Sequence, residues 1–223
     1  RDIDQTGLMQ AVDDFESQAI SLLTSPDAQE AFDLGKEPTA LRDRYGRNQW
    51  GQQCLLARRL VEAGVDIVTT EFDGPLCGRV ANWDDHAVNH HVFQAIKHRA
   101  PFFDQAVSAL VEDVYQRGLD KRVMVVVTGE FGRTPRINGN TGRDHWARAM
   151  SMLFAGGGIR PGQVIGSTDK TGSEPVGNSY SPDDAAASFY RALGIDHQQE
   201  YHTPDGRPVM LVGNGSPIKE LWG

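Results

Sequence analysis

Apolar residues recur at three-to-four spacing near the start of the chain, at Leu8, Val12, Phe15, Ala19, Leu22 and Leu23. That rhythm predicts an amphipathic helix over residues 3–23. Ser25-Pro26-Asp27 restarts a helix over 28–34, with Ser25 as N-cap and Pro26 at the first helical position, and Gly35 stops it. Glu37-Pro38 opens a short helical turn that ends at Tyr45-Gly46. A third helix over 50–63 places Cys54, Ala57 and Val61 on one face, leaves Arg58 and Arg59 on the exposed side, and stops at Gly64. This first part reads as structural.

The rhythm then changes. Val65 to Glu71, rich in β-branched residues, predicts a strand following a helix, as in α/β units. An irregular stretch, 72–83, follows it, and on one of two readings a helix then runs over 86–97. Pro101 begins another helix, to Arg117, with Phe102, Ala106, Leu110 and Val114 on its core stripe. Val123–Val127 and 149–155 read as buried strands, the second ending in Gly156-Gly157-Gly158. Residues 160–167 suggest a hairpin or excursion. Ser181-Pro182-Asp183-Asp184 is a strong helix start, ahead of Ala186, Phe189, Tyr190 and Leu193. Pro204-Asp205-Gly206 is a turn before a short strand over 209–212. Helices alternating with apolar strands across 50–212 predict a three-layer α/β domain. The expected division is a helical segment over 1–64 packed on an α/β domain over 65–223.

Composition narrows the function. The 223 residues can bury a proper core, and a formal net charge of −8 argues against a general nucleic-acid binder. It leaves a small anionic substrate open, because local arginines or a metal invert the local field. No apolar run approaches the ~20 residues of a membrane helix. Cys54 reads as core, and with Cys77 it makes no disulfide framework. The first residue is Arg1, which suggests a fragment or processed product.

Two clusters carry the chemistry. Trp83-Asp84-Asp85-His86, followed by Asn89-His90-His91, has a metal-site composition. The plainer alternative makes Asp84 or Asp85 a helix N-cap and leaves His90 and His91 on the surface. The second cluster follows the 123–127 strand on a Gly-rich loop: Glu130, Arg133, Arg136, Arg143, Asp144 and His145. In an open parallel sheet such a loop lies at the carboxyl edge, where ligands bind. A nucleophilic triad of Asp144, His145 and Thr128 or Ser151 has little support, since no Gly-x-Ser-x-Gly elbow is present.

The pieces Trp83–His86, Val126–Asn138, Gly142–Trp146, Leu153–Gly166, Leu193–Ile195 and Pro204–Val209 together resemble a bacterial domain-of-unknown-function family, number 1501. Members of that family look like relatives of the alkaline phosphatase and sulfatase superfamily. The resemblance implies an alkaline phosphatase-like three-layer α/β/α sandwich, with a mostly parallel sheet and metals at its carboxyl edge. It implies Asp84, His86 and His145, with Asp144 beside it, as metal ligands. A Thr-Ser/Ala-Asp-His-Gly motif corresponds here to Thr128-Gly129-Glu130-Phe131-Gly132, in which Glu130 could still bind a metal but Phe131 cannot, so one ligand is replaced. It places the nucleophile in a segment before residue 1, and it implies export from a bacterial cell.

The reading that follows is a metal-dependent hydrolase of phosphate or sulfate esters. Asp84, His86, Glu130, Asp144 and His145 would supply metal ligands, and Glu130, Arg133 and Arg143 would supply the base and the anion clamp. Zinc or manganese suits mixed imidazole and carboxylate ligands; calcium or magnesium suits an oxygen-rich set. The alternative is a non-catalytic relative that keeps the fold for binding or assembly. Oligomeric state is not legible.

Overall fold

The structure, a computed structural model, describes residues 8–76, 79–80, 82–86 and 91–223. Helices α1 (Leu8–Thr24), α2 (Pro26–Phe32), α3 (Thr39–Tyr45) and α4 (Gln49–Glu62) follow in order. The Ser25 hydroxyl accepts from Ala28 N–H with Pro26 in the first turn, as the local pattern dictates. The Asn48 side chain caps α4 by accepting from Gly51 N–H. Strands β1 (Pro75–Leu76) and β2 (Arg79–Val80) form a two-residue hairpin. Helix α5 (Val92–Gln116) runs unbroken through Pro101, so the helices expected over 86–97 and from Pro101 are one element. Its N-cap is His91, whose ring Nδ1 accepts from Phe93 N–H; neither Asp84 nor Asp85 caps it. The expected positions 3–7 of the first helix and His90 lie outside the described residues.

The main core forms where α3 and α4 meet α5. Tyr45, Trp50, Cys54, Leu55, Leu76, Ala106 and Ala109 are buried there, with Phe72, Phe102 and Phe103 packed around them. Burial pushes the Cys54 thiol up to about 12 and keeps it an inert apolar group. Arg58, expected on the exposed face of α4, is buried instead. Its guanidinium meets Glu37 at 2.8 Å, Glu62 at 2.5 Å and Asp113 at 3.0 Å. Periodicity within one helix does not register carboxylates delivered by other segments.

The predicted three-layer sandwich with a mostly parallel sheet is not what forms. Among the described residues the strands make only two-stranded antiparallel pairs. After β3 (Met124–Val127), β4 (Gly132–Arg133) pairs with β5 (His145–Trp146), and β6 (Leu153–Gly156) returns against β3 with Met124 opposite Gly156. A parallel pair needs a crossover, usually a helix, and residues 128–152 contain none, so the chain comes back antiparallel. Residues 65–71 form no ladder, and Ile67 is exposed: β-branched composition without a partner makes no strand. The 149–155 strand shortens to β6.

The glycine that ends β6 is needed for a close approach. Gly156 has φ +71°, and a Cβ there would lie 2.2 Å from the Val123 carbonyl oxygen. Beyond it come a hairpin of β7 (Ser167–Thr168) and β8 (Pro175–Val176), then α6 (Pro182–Ala192). Helix α6 starts with the capping box of Ser181 and Asp184, and Leu193, its C-cap residue, is exposed. The last hairpin joins β9 (Glu200–His202) to β10 (Pro208–Met210) around the expected Pro204-Asp205-Gly206 turn. A second, smaller core of Ile159, Ile218 and Leu221 closes over Met124 and Phe154. No helix among the described residues is long and apolar enough to cross a membrane.

Candidate metal centre

The segment 82–86 carries two adjacent aspartates that point to different environments. Asp85 is buried and pairs with Arg99 of α5, whose Nη1 also donates to the Asn82 carbonyl. The Arg99 guanidinium lies 4.8 Å from the centre of the Trp83 ring. Trp83 stacks on Trp50 at 5.8 Å and donates its indole N–H to the Phe72 carbonyl at 2.7 Å. These contacts moor the segment to the helical core through its inward residues. Arg99 was not singled out by the sequence: a basic residue in a helical pattern carries no signal of a buried partner.

Asp84 therefore faces outward. Its Oδ1 lies 2.7 Å from His86 Nδ1, 2.7 Å from His145 Nε2 and 2.9 Å from Arg133 Nη2. His145 and Arg133 arrive on the antiparallel pair of β5 and β4, where they are direct partners in the register. Gly132 makes that pairing possible, since a Cβ there would lie 1.8 Å from the Ala149 carbonyl oxygen. The two imidazoles meet edge to face at 5.0 Å, and Phe131 tilts against His145 at 4.4 Å. Hydrogen bonding from His145, then from Arg133 and His86, holds the Asp84 carboxyl well below the usual carboxylate range. The site is open: the side chains of Asp84, His86 and His145 are 49%, 43% and 51% exposed.

One ligand-capable atom from each of Asp84, His86 and His145 lies within 4.8 Å of the others. Two imidazoles and one carboxylate, with a solvent-facing side left over, is the donor set of a metal site that keeps open positions. Glu130 and Asp144 do not belong to this group. Glu130 is exposed at the end of the loop after β3, and the Asp144 carboxylate accepts from Asn138 Nδ2 at 2.8 Å. The Arg143 guanidinium, expected as an anion clamp, donates to the Thr134 and Arg133 carbonyls and ties its own loop together. Arg133 is the arginine that reaches the cluster; it also donates to the Trp83 and Arg143 carbonyls. His91 stays at the helix cap, stacked on Phe93.

The family's sequence pattern, described as a protein of unknown function (DUF1501), matches residues 4–222. The chain belongs to that family. The match extends over nearly all of the chain, so the helical core, the Asp84 segment and the β4–β5 pair all lie inside the DUF1501 region. No curated protein and no solved structure matches the chain.

Proposed function

We propose that Asp84, His86 and His145 bind a divalent cation and that this DUF1501 protein is a metal-dependent hydrolase of small phosphate or sulfate esters. The observation that carries the reading is the convergence of two imidazoles on one Asp84 oxygen, one from His86 two positions away and one from His145, 61 positions away. Two nitrogen donors with one oxygen favour zinc or manganese over calcium and magnesium, which prefer all-oxygen surroundings. Glu130, Asp144 and Arg143 have no part in the ligand set on this reading.

When bound, such an ion polarises an ester oxygen and acidifies a coordinated water. The protein's own groups do the rest. Asp84, kept ionised by its three partners, is ready to act as a ligand without first losing a proton. The Arg133 guanidinium beside it opposes a bare cation, and so favours an anionic group arriving with or after the metal. Phe131 packs against the His145 ring at 4.4 Å and lies 5.8 Å from the Arg133 guanidinium, so it limits how both groups can turn.

A second reading takes the same contacts as an end in themselves: each imidazole already has Asp84 as a polar partner, which supports a non-catalytic member that keeps the cluster for binding or assembly. Elemental analysis of the purified protein separates the two. About one equivalent of zinc or manganese, lost in a His86→Ala, His145→Ala double variant, together with metal-dependent cleavage of aryl phosphate or sulfate esters, supports the hydrolase. A folded protein that holds no metal, even after addition of zinc, sinks it.

A further inference from the structure

The Asp84 segment and the His145 strand come from distant parts of the chain, and a contact of 2.7 Å between exposed side chains does not by itself hold two loops in register. Something else must set their spacing. We propose that Asn138 is the positioning residue of the candidate metal centre, acting with Gly142 as a latch between its two halves; the inference rests on the metal reading above.

The Asn138 amide is used in full. Its Nδ2 donates to the His86 carbonyl at 2.7 Å and to Asp144 Oδ1 at 2.8 Å. Its Oδ1 accepts from Asn140 N–H at 2.9 Å and from Gly142 N–H at 3.0 Å. Two donors and two acceptor sites exhaust what a primary amide offers. Its orientation is dictated as well, because the flipped amide would set oxygen against the His86 carbonyl and the Asp144 carboxylate. One end of this side chain therefore grips the backbone of a ligand, His86. The other gathers the loop that leads into Asp144 and His145.

Gly142 closes the same gap from the backbone. A Cβ at this position would lie 2.3 Å from the Asp85 carbonyl oxygen and 2.8 Å from that of His86. The next residue, Arg143, donates its backbone N–H to the Asp85 carbonyl at 2.8 Å. Thr141, with φ +63°, turns its carbonyl to accept from Val92 N–H at the start of α5. A non-glycine residue in the left-handed region is held there only when its surroundings demand it, and here the demand is three attachments along one loop. All of them land on the segment that carries His86 or on the helix that follows it. Neither Asn138 nor Gly142 belongs to the ligand-capable group; each sets where the ligands stand.

The test compares the full chain with Asn138→Ala, Gly142→Ala and His145→Ala. Zinc affinity is measured against a competing chelator well below the melting temperature, and the imidazole ¹⁵N signals of His86 and His145 are recorded in the metal-free proteins. The expected result is a 10- to 100-fold weaker zinc affinity in Asn138→Ala and Gly142→Ala, the range for losing groups that orient metal ligands. Displaced imidazole signals should accompany it, and binding should vanish in His145→Ala. Wild-type zinc affinity and unmoved imidazole signals in both latch variants, even with lowered melting temperatures, would overturn the latch. Equal or absent zinc binding in wild type and His145→Ala overturns the metal reading separately. In that case displaced signals in the latch variants still support Asn138 as the organiser of the cluster, and unmoved ones overturn it.

Discussion

Two groups of carboxylates and cations in this molecule have similar composition and opposite circumstances. Around Arg58, the side chains of Arg58, Glu37 and Asp113 are 2%, 7% and 7% exposed, and Tyr45 donates its hydroxyl to Asp113 at 2.9 Å. Burial works against the charge on Arg58, but Glu62 and Glu37 outweigh it and hold its proton more firmly than usual. For Glu37, too, burial opposes ionisation and the Arg59 and Arg58 guanidinia win, so its carboxyl lies below the usual value. Around Asp84 the same kinds of partner sit in water. Charges taken out of solvent are expensive to separate, whereas exposed pairs contribute little to stability. The first group belongs to the fold. The second is inexpensive to rearrange, which is what a site that must admit a ligand requires.

The largest effect should come from breaking the buried group. Arg58→Ala removes the buried cation shared by Glu37, Glu62 and Asp113, leaving only the more exposed Arg59 and Arg117 beside them, and should lower stability by about 3 kcal/mol, read from a denaturant midpoint. A loss under 1 kcal/mol would mean that water reaches this network and that the contrast between the two groups is false. Asp85→Ala removes the partner of buried Arg99 and should cost about 3 kcal/mol in the same measurement. It should also weaken zinc binding, because the Asp84 segment loses its mooring; unchanged affinity would show that the Asp144 side holds it alone.

Added zinc should stabilise the wild type by about 2.7 kcal/mol at a concentration of 100 times Kd, by mass action. That gain should be missing in His145→Ala, whose metal-free midpoint should match the wild type. A gain in both would place the ion elsewhere. The smallest effect concerns Asp84→Asn without metal. The folded Asp84 carboxyl titrates below its unfolded value, so its contribution is present above about pH 4 and is lost as pH falls toward the lower folded value. The variant should show a shallower loss of stability below about pH 4 and little change at neutral pH. An identical acid limb would disconnect the carboxylate from its three partners.

What the sequence by itself determined is what local physics decides. The Ser25-Pro26 and Ser181-Pro182 helix starts and the apolar rhythm of the first helices follow from capping and 3.6-residue periodicity, which need no distant contact. Asp84, His86 and His145 stood out by residue type, but so did Glu130 and Asp144, and residue type alone does not say which side chains converge. Tertiary structure alone decided the rest. Whether Val65–Glu71 becomes a strand depends on a ladder partner, and none is supplied among the described residues. Whether β3 and β6 run parallel depends on the crossover between them, and 128–152 provides no helix for one. Adjacent Asp84 and Asp85 look interchangeable in the chain; Arg99 draws one inward and leaves the other to His86 and His145. Arg58 reads as a surface residue until Glu37 and Asp113 are seen around it. Pairwise partners far apart in the chain fix burial, and burial decides which charges hold the fold and which stay free to bind.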